Sequence, residues 1–157
     1  MPEVQFYKPE NSITWIVKQF ESVKYKGNFT LTDKFIPRPD AAIIFHFDTR
    51  PSIVEPIKTH LKPFFIAPVV KKSNRLSVKG DLDTFVVTCK ASVLSKIFNI
   101  NMASVNSMLV ELPHETFFPI WNDLSKCEST AERITYFSDF IIKYAPNGYS
   151  PDNIDIL

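Results

Sequence analysis

The chain is poor in glycine: three Gly stand against twelve Pro in 157 residues. The glycine-rich loops that cradle phosphates are missing, with no G-x-G-x-x-G and no P-loop, and there is no G-x-S-x-G nucleophile elbow. Turns therefore fall to Pro, Asn and Asp. Charge of one sign is equally scarce. The formal net charge is +1, whereas a domain that grips nucleic acid unaided carries a basic face or a high pI. Lys71-Lys72 and Arg75 form a small basic cluster around Ser73-Asn74, which fits a solvated loop or a phosphate contact. Cysteine is limited to Cys89 and Cys127, and their separation matches no metal spacing. Each lies among apolar residues, so buried reduced thiols are expected, with a disulfide or a reactive thiol as alternatives. No apolar run approaches the ~20 residues of a membrane span. The N-terminal MPEVQFYKPENS lacks the basic and apolar regions of a secretory signal. A cytoplasmic protein with no membrane association is expected.

What is present is a single-domain length with an aromatic interior. A chain of this size buries roughly 70% of its unfolded surface and needs no disulfide or metal staple. Fourteen Phe imply an aromatic-rich core. The first two-thirds reads as strands. Ser12 to Ser22 alternates in part, with Ile13, Trp15 and Val17 to one side. Asn28 to Leu31 is short and extended. Pro37 and Pro39 fix their own φ and extend the residues before them, and Asp40 then turns the chain into the apolar strand Ala41 to Phe47. Phe64 to Val70 is another apolar run, in which Pro68 marks an edge strand or a bulge. Arg75 to Val78 and Thr84 to Lys90 flank a turn at Lys79-Gly80-Asp81. Phe85, Val87 and Cys89 share one face of the last strand.

The final third reads as helices: Ser92 to Phe98, Glu115 to Ser125 with Pro119 in its first turn or at a kink, and Ser129 to Tyr144. Ser129 and Glu132 fit a capping box. Ile134, Phe137, Ile141 and Tyr144 recur at helical spacing, broadened by Phe140. Asn147-Gly148 ends the helix. Ser150-Pro151-Asp152 then looks like a new helix start, followed by apolar Ile154, Ile156 and Leu157. That segment is either the start of a continuation or a short docked tail.

Chemistry has few carriers. His46, His60 and His114 form neither an HxH nor an HExxH arrangement, and the paired-His metal pattern of cupins is absent. The carboxylates are scattered, and no serine carries a nucleophile signature. No catalytic residue, metal or cofactor is expected. His46 and Asp48 lie two residues apart and would project from one sheet face, as a polar surface or as a ligand contact. The aromatics on strand-like segments either fill a core or line a cavity. For a cavity, the candidates are Trp15 and Phe45 as apolar walls, with His46, Asp48, Thr88 and Lys90 as polar groups.

Three segments resemble the N-terminal domain of AraC-type transcriptional regulators. They are Tyr7-Lys8-Pro9 with the Trp15 segment, Ile36-Pro37-Arg38-Pro39-Asp40 leading into Ile43-Ile44-Phe45, and the stretch from Phe85 to the Ser129–Tyr144 helix. In the last, Ser129-Thr130-Ala131-Glu132-Arg133-Ile134 is similar to the family's Glu-Arg-Ile helix. Ala41 stands where the family favours Gly. Thr88 to Ser92 stands where it often has Arg and then Pro-Gly. The resemblance implies an α+β fold: a small, cupin-like β-barrel or sandwich of roughly six to eight strands, with C-terminal helices. It places a regulatory domain at residues 1–146, and a linker or the start of a C-terminal helix-turn-helix region at 147–157. It also implies a ligand-sensing or dimerising role, a possible small-molecule effector, and a homodimer. DNA would be contacted only through a region absent from this chain. Ile134, Phe137, Ile141 and Tyr144 are the candidates for the dimer or interdomain surface. The alternatives are a cupin-like small-molecule enzyme and a filled-barrel protein-interaction module.

Overall fold

A computed structural model describes residues 3–26, 29–31, 41–47, 52–55, 59–60, 63–67, 75–78, 81–98 and 113–144. In chain order the elements begin with strand β1 (Glu3–Tyr7), a 3-10 turn (Asn11–Ile13), β2 (Val17–Tyr25), β3 (Phe29–Leu31) and β4 (Ala41–His46). Next come β5 (Ser52–Glu55), β6 (Thr59–His60), β7 (Phe64–Ala67), β8 (Arg75–Val78) and β9 (Leu82–Cys89). Helices α1 (Ala91–Ile97), α2 (His114–Lys126) and α3 (Thr130–Tyr144) follow.

The fold is α+β, with strands before helices as the sequence predicts. The barrel is not. One sheet of five antiparallel strands runs β1-β2-β9-β4-β7, and a second of four runs β3-β8-β5-β6. The five-stranded sheet ends in β1 and β7 and does not close on itself. β8 and β9, predicted to flank a turn, belong to different sheets and do not pair. β7 is an edge strand, in keeping with the prediction from Pro68, which itself lies outside the described residues. Also outside them are the Pro37–Asp40 turn, Asp48, the Lys71-Lys72 cluster, Lys79-Gly80, Asn147-Gly148 and Ser150 to Leu157.

The strand predicted over Ser12 to Ser22 begins only at Val17 and extends to Tyr25. Local side-chain bonds explain the delay. Thr14 Oγ1 donates to Asn11 O at 3.0 Å and Trp15 Nε1 to Ser12 O at 2.9 Å, which favours a turn over a ladder. Ile13, Ile16, Val17 and Phe20 are all fully buried, so the true inward spacing there is not two.

Period two does govern the central strands. β9 sits mid-sheet, and from Thr84 to Cys89 it is buried on both faces. Its Phe85, Val87 and Cys89 join Phe20 of β2, Ile43 and Phe45 of β4, and Phe64 and Ile66 of β7 under the helices. α1 contributes Leu94 and Phe98, α2 contributes Phe117, Ile120 and Leu124, and α3 contributes Phe137 and Ile141. Rings interlock here. Phe20 stacks on Phe85 at 5.7 Å, and Phe137 meets Phe20 and Phe45 edge-on at 6.3 and 6.1 Å, within the range aromatic pairs prefer.

The start of α3 follows its sequence signal with one change. Ser129 Oγ accepts from Glu132 N at 3.2 Å, as the capping box requires. Glu132 Oε2, however, accepts from Glu128 N at 2.9 Å rather than from the N–H of Ser129 itself. Pro119 lies inside α2, beyond its first turn. Among the described residues no helix is long and apolar enough to cross a membrane.

Candidate functional site

The face of the five-stranded sheet away from the core cluster carries the buried polar side chains that sequence reasoning singled out. His46 of β4 pairs in register with Thr84 of β9, and Ala42 with Thr88. His46 Nδ1 and Thr84 Oγ1 share a hydrogen bond of 2.8 Å, and the imidazole lies 5.6 Å from the Phe65 ring. Thr88 is buried, and among the described residues its Oγ1 has no hydrogen-bond partner, as is also true of Ser138 Oγ on α3. A buried hydroxyl without a partner costs free energy.

The six candidate residues do not form one wall. His46 and Thr88 share a face, but their register positions lie four residues apart along β9, about 13 Å at strand rise, with the Ile44–Val86 pair between them. Phe45 projects to the opposite face and is fully buried in the core, where it meets Phe85 and Phe137. Trp15 sits in the turn before β2, not on a strand, and packs half-buried against the core. Lys90 follows β9 as the residue preceding α1, and its N–H donates to Ile16 O at 3.0 Å. Asp48 lies outside the described residues.

The helix candidates divide as well. Phe137 and Ile141 are at most 1% exposed and belong to the core. Ile134 packs half-buried against it, and Tyr144 is exposed beside Phe98 and Phe140, at 5.0 and 5.3 Å. The apolar surface α3 leaves open is Ile142, half exposed, with Tyr144.

Four residues at one end of the sheet were missed. Arg133 of α3 binds Asp83 with both terminal nitrogens, at 2.8 and 3.0 Å. Its Nε donates to Leu124 O at 3.2 Å, and its guanidinium lies 4.0 Å over the Phe47 ring. Trp121 of α2 stacks on Phe47 and donates from Nε1 to His46 O at 2.8 Å. The available signal was an arginine in the first turn of a helix, where the dipole disfavours a cation. Its partner, fifty residues away, leaves no local trace.

Electrostatic perturbation lies elsewhere, between α2 and α3. The Tyr136 hydroxyl donates to Asp123 Oδ2 at 2.7 Å. Burial, then that hydrogen bond and the carboxylate charge, push its pKa up to about 12. Burial, followed by the charge of Glu132, also raises the Cys127 thiol. Neither cysteine is in a disulfide; Cys89 is buried and Cys127 half-buried. Among the described residues no three His, Cys, Asp or Glu side chains gather as a metal site would need.

No family model matches the chain, and no curated protein matches it. Two solved structures of ToxT from Vibrio cholerae, an AraC-family regulator, resemble it in outline. One is 9% identical with a TM-score of 0.38 over 99% of this chain and 63% of its own. The other, from strain O395, is 10% identical with a TM-score of 0.37 over 92% of this chain and 53% of its own. The chain thus spans less than two-thirds of the length of either. A likeness this weak establishes neither a shared fold nor a shared activity.

Proposed function

We propose that the chain is the regulatory N-terminal domain of an AraC-type DNA-binding transcription regulator, acting without catalysis in the cytoplasm. The observation that carries this reading is the order of its family-like segments. Tyr7 closes β1, Ile43-Ile44-Phe45 lies within β4, and Ser129 to Ile134 opens the helix whose Arg133 clasps the sheet. A net charge of +1 suits a domain that leaves DNA to another region. An effector would meet the far face at His46 or Thr88, and the exposed end of α3 would meet a second copy. Control would be a population shift, since an effector moves an equilibrium only by binding one arrangement better than another.

Thermal-shift titration with sugars, aromatic acids, nucleotides, lipids and divalent metals tests this. The expected result is a saturable rise in Tm with an organic ligand, smaller in Thr88→Val. A rise with metal alone would point instead to a cupin-like enzyme. Absence of any shift, with a monomer at all concentrations, would favour the interaction module. One observation favours that second reading: Phe45, chosen as a cavity wall, is fully buried among the rings of the core.

A further inference from the structure

At one end of the β4–β9 pair, adjacent residues carry contacts on opposite sides of the sheet. His46 and Thr84 meet on the far face through their 2.8 Å hydrogen bond. The main chain of the same His46 is fixed from α2, because Trp121 Nε1 donates to its carbonyl at 2.8 Å. One residue along each strand, Phe47 N donates to Asp83 O at 2.9 Å. The Asp83 carboxylate is held at both oxygens by Arg133 of α3, which also covers the Phe47 ring and caps Leu124 O near the end of α2. Successive strand residues face opposite ways, so a displacement of the 46–47 and 83–84 backbone moves groups on both faces together. The indole, guanidinium and carboxylate are each anchored on packed elements.

We infer that this junction is a coupling element: a change at the His46–Thr84 pair on the far face is transmitted to α2 and α3 through Trp121 and Arg133. It deepens the regulatory reading and takes its purpose from it. The mechanical link itself stands on the contacts. Coupling of this kind requires a physical element that both sides bias; Arg133 is the candidate because it touches Asp83 of β9, Phe47 just past β4 and Leu124 O of α2 at once.

The test needs neither effector nor DNA. Thr84→Val removes the hydroxyl at nearly constant shape, and Thr84→Ser keeps it. In Thr84→Val, amide hydrogen exchange is expected to quicken at Phe47, in the second half of α2 and in the first turns of α3, by about fivefold or more. Thr84→Ser should stay near the parent. In an Arg133→Met background, adding Thr84→Val should leave α3 exchange at the level of Arg133→Met alone. A second readout uses Trp121 as sole indole in Trp15→Phe, where its emission should shift with Thr84→Val or His46→Asn but not with Thr84→Ser. If Thr84→Val does not fold, His46→Asn decides by the same emission. A response confined to β4 and β9, or α3 exchange that responds to Thr84→Val equally with and without Arg133, overturns the inference. So does unchanged exchange everywhere, or an unmoved Trp121 emission. A ligand titration can fail while this coupling stands, and the coupling can fail while a ligand binds, so the two readings fall separately.

Discussion

The two faces of the five-stranded sheet are made from the same strands, yet they are held by different physics. Toward the helices, Phe20, Phe45, Phe85 and Phe137 are fully buried and packed ring on ring. Stability there comes from area removed from water and from dispersion between close atoms. On the other face, Thr84, Thr88 and His46 are buried alongside Ile44 and Val86. Burial there puts polar atoms out of reach of water, and their satisfaction becomes the issue. Phe85 and Thr84 are neighbours in sequence and differ in every one of these respects. The helix face therefore depends on shape, and the far face on whether its buried polar atoms find partners.

The largest effect expected from breaking this contrast is on the helix face. Phe85→Ala removes a ring that stacks on Phe20 and meets Phe45, and should lower unfolding free energy by about 3–5 kcal/mol in urea titration. Arg133→Met should cost somewhat less, about 2–4 kcal/mol, because it strands the Asp83 carboxylate. Asp83 keeps 22% of its side-chain surface in water, which softens the loss. A double-mutant cycle with Asp83→Asn, read by the same titration, should recover a favourable coupling between the two. A smaller effect is expected at high pH. The Tyr136 pKa is raised to about 12 in the folded protein from an ordinary 10. Across that interval the folded state holds a proton the unfolded state has lost, so stability falls as pH rises from about 10 toward 12. That slope should flatten in Tyr136→Phe when Tm is followed against pH. The smallest effect is on the far face. Thr88→Val removes a buried hydroxyl that has no partner among the described residues, and should change stability by less than about 1 kcal/mol, in the stabilising direction. A loss comparable to Phe85→Ala would mean that Thr88 is as much a packing residue as Phe85, and the contrast between the faces would collapse.

Local rules settled a good deal of this protein from its sequence. The apolar run after Asp40 gave β4, period-two patterning gave the inward face of β9, and the Ser129–Glu132 spacing gave the start of α3. Helical spacing put Ile134, Phe137, Ile141 and Tyr144 on one stripe, but it did not show that Phe137 and Ile141 lie in the core rather than on a partner surface. These are contests between a residue and its near neighbours, and one sequence contains both sides of them. Asn11 to Ile16 shows how close such a contest is, since side-chain bonds to the turn defeated an apparent alternation. The tertiary structure alone decided which strands pair, that the five-stranded sheet stays open, and which of its faces the helices cover. It alone joined Arg133 to Asp83 and Trp121 to the carbonyl of His46. Those outcomes depend on loop closure and packing between residues 50 and 75 positions apart. The free energy of such contacts belongs to the assembled sheet and helices, not to any short window of the chain.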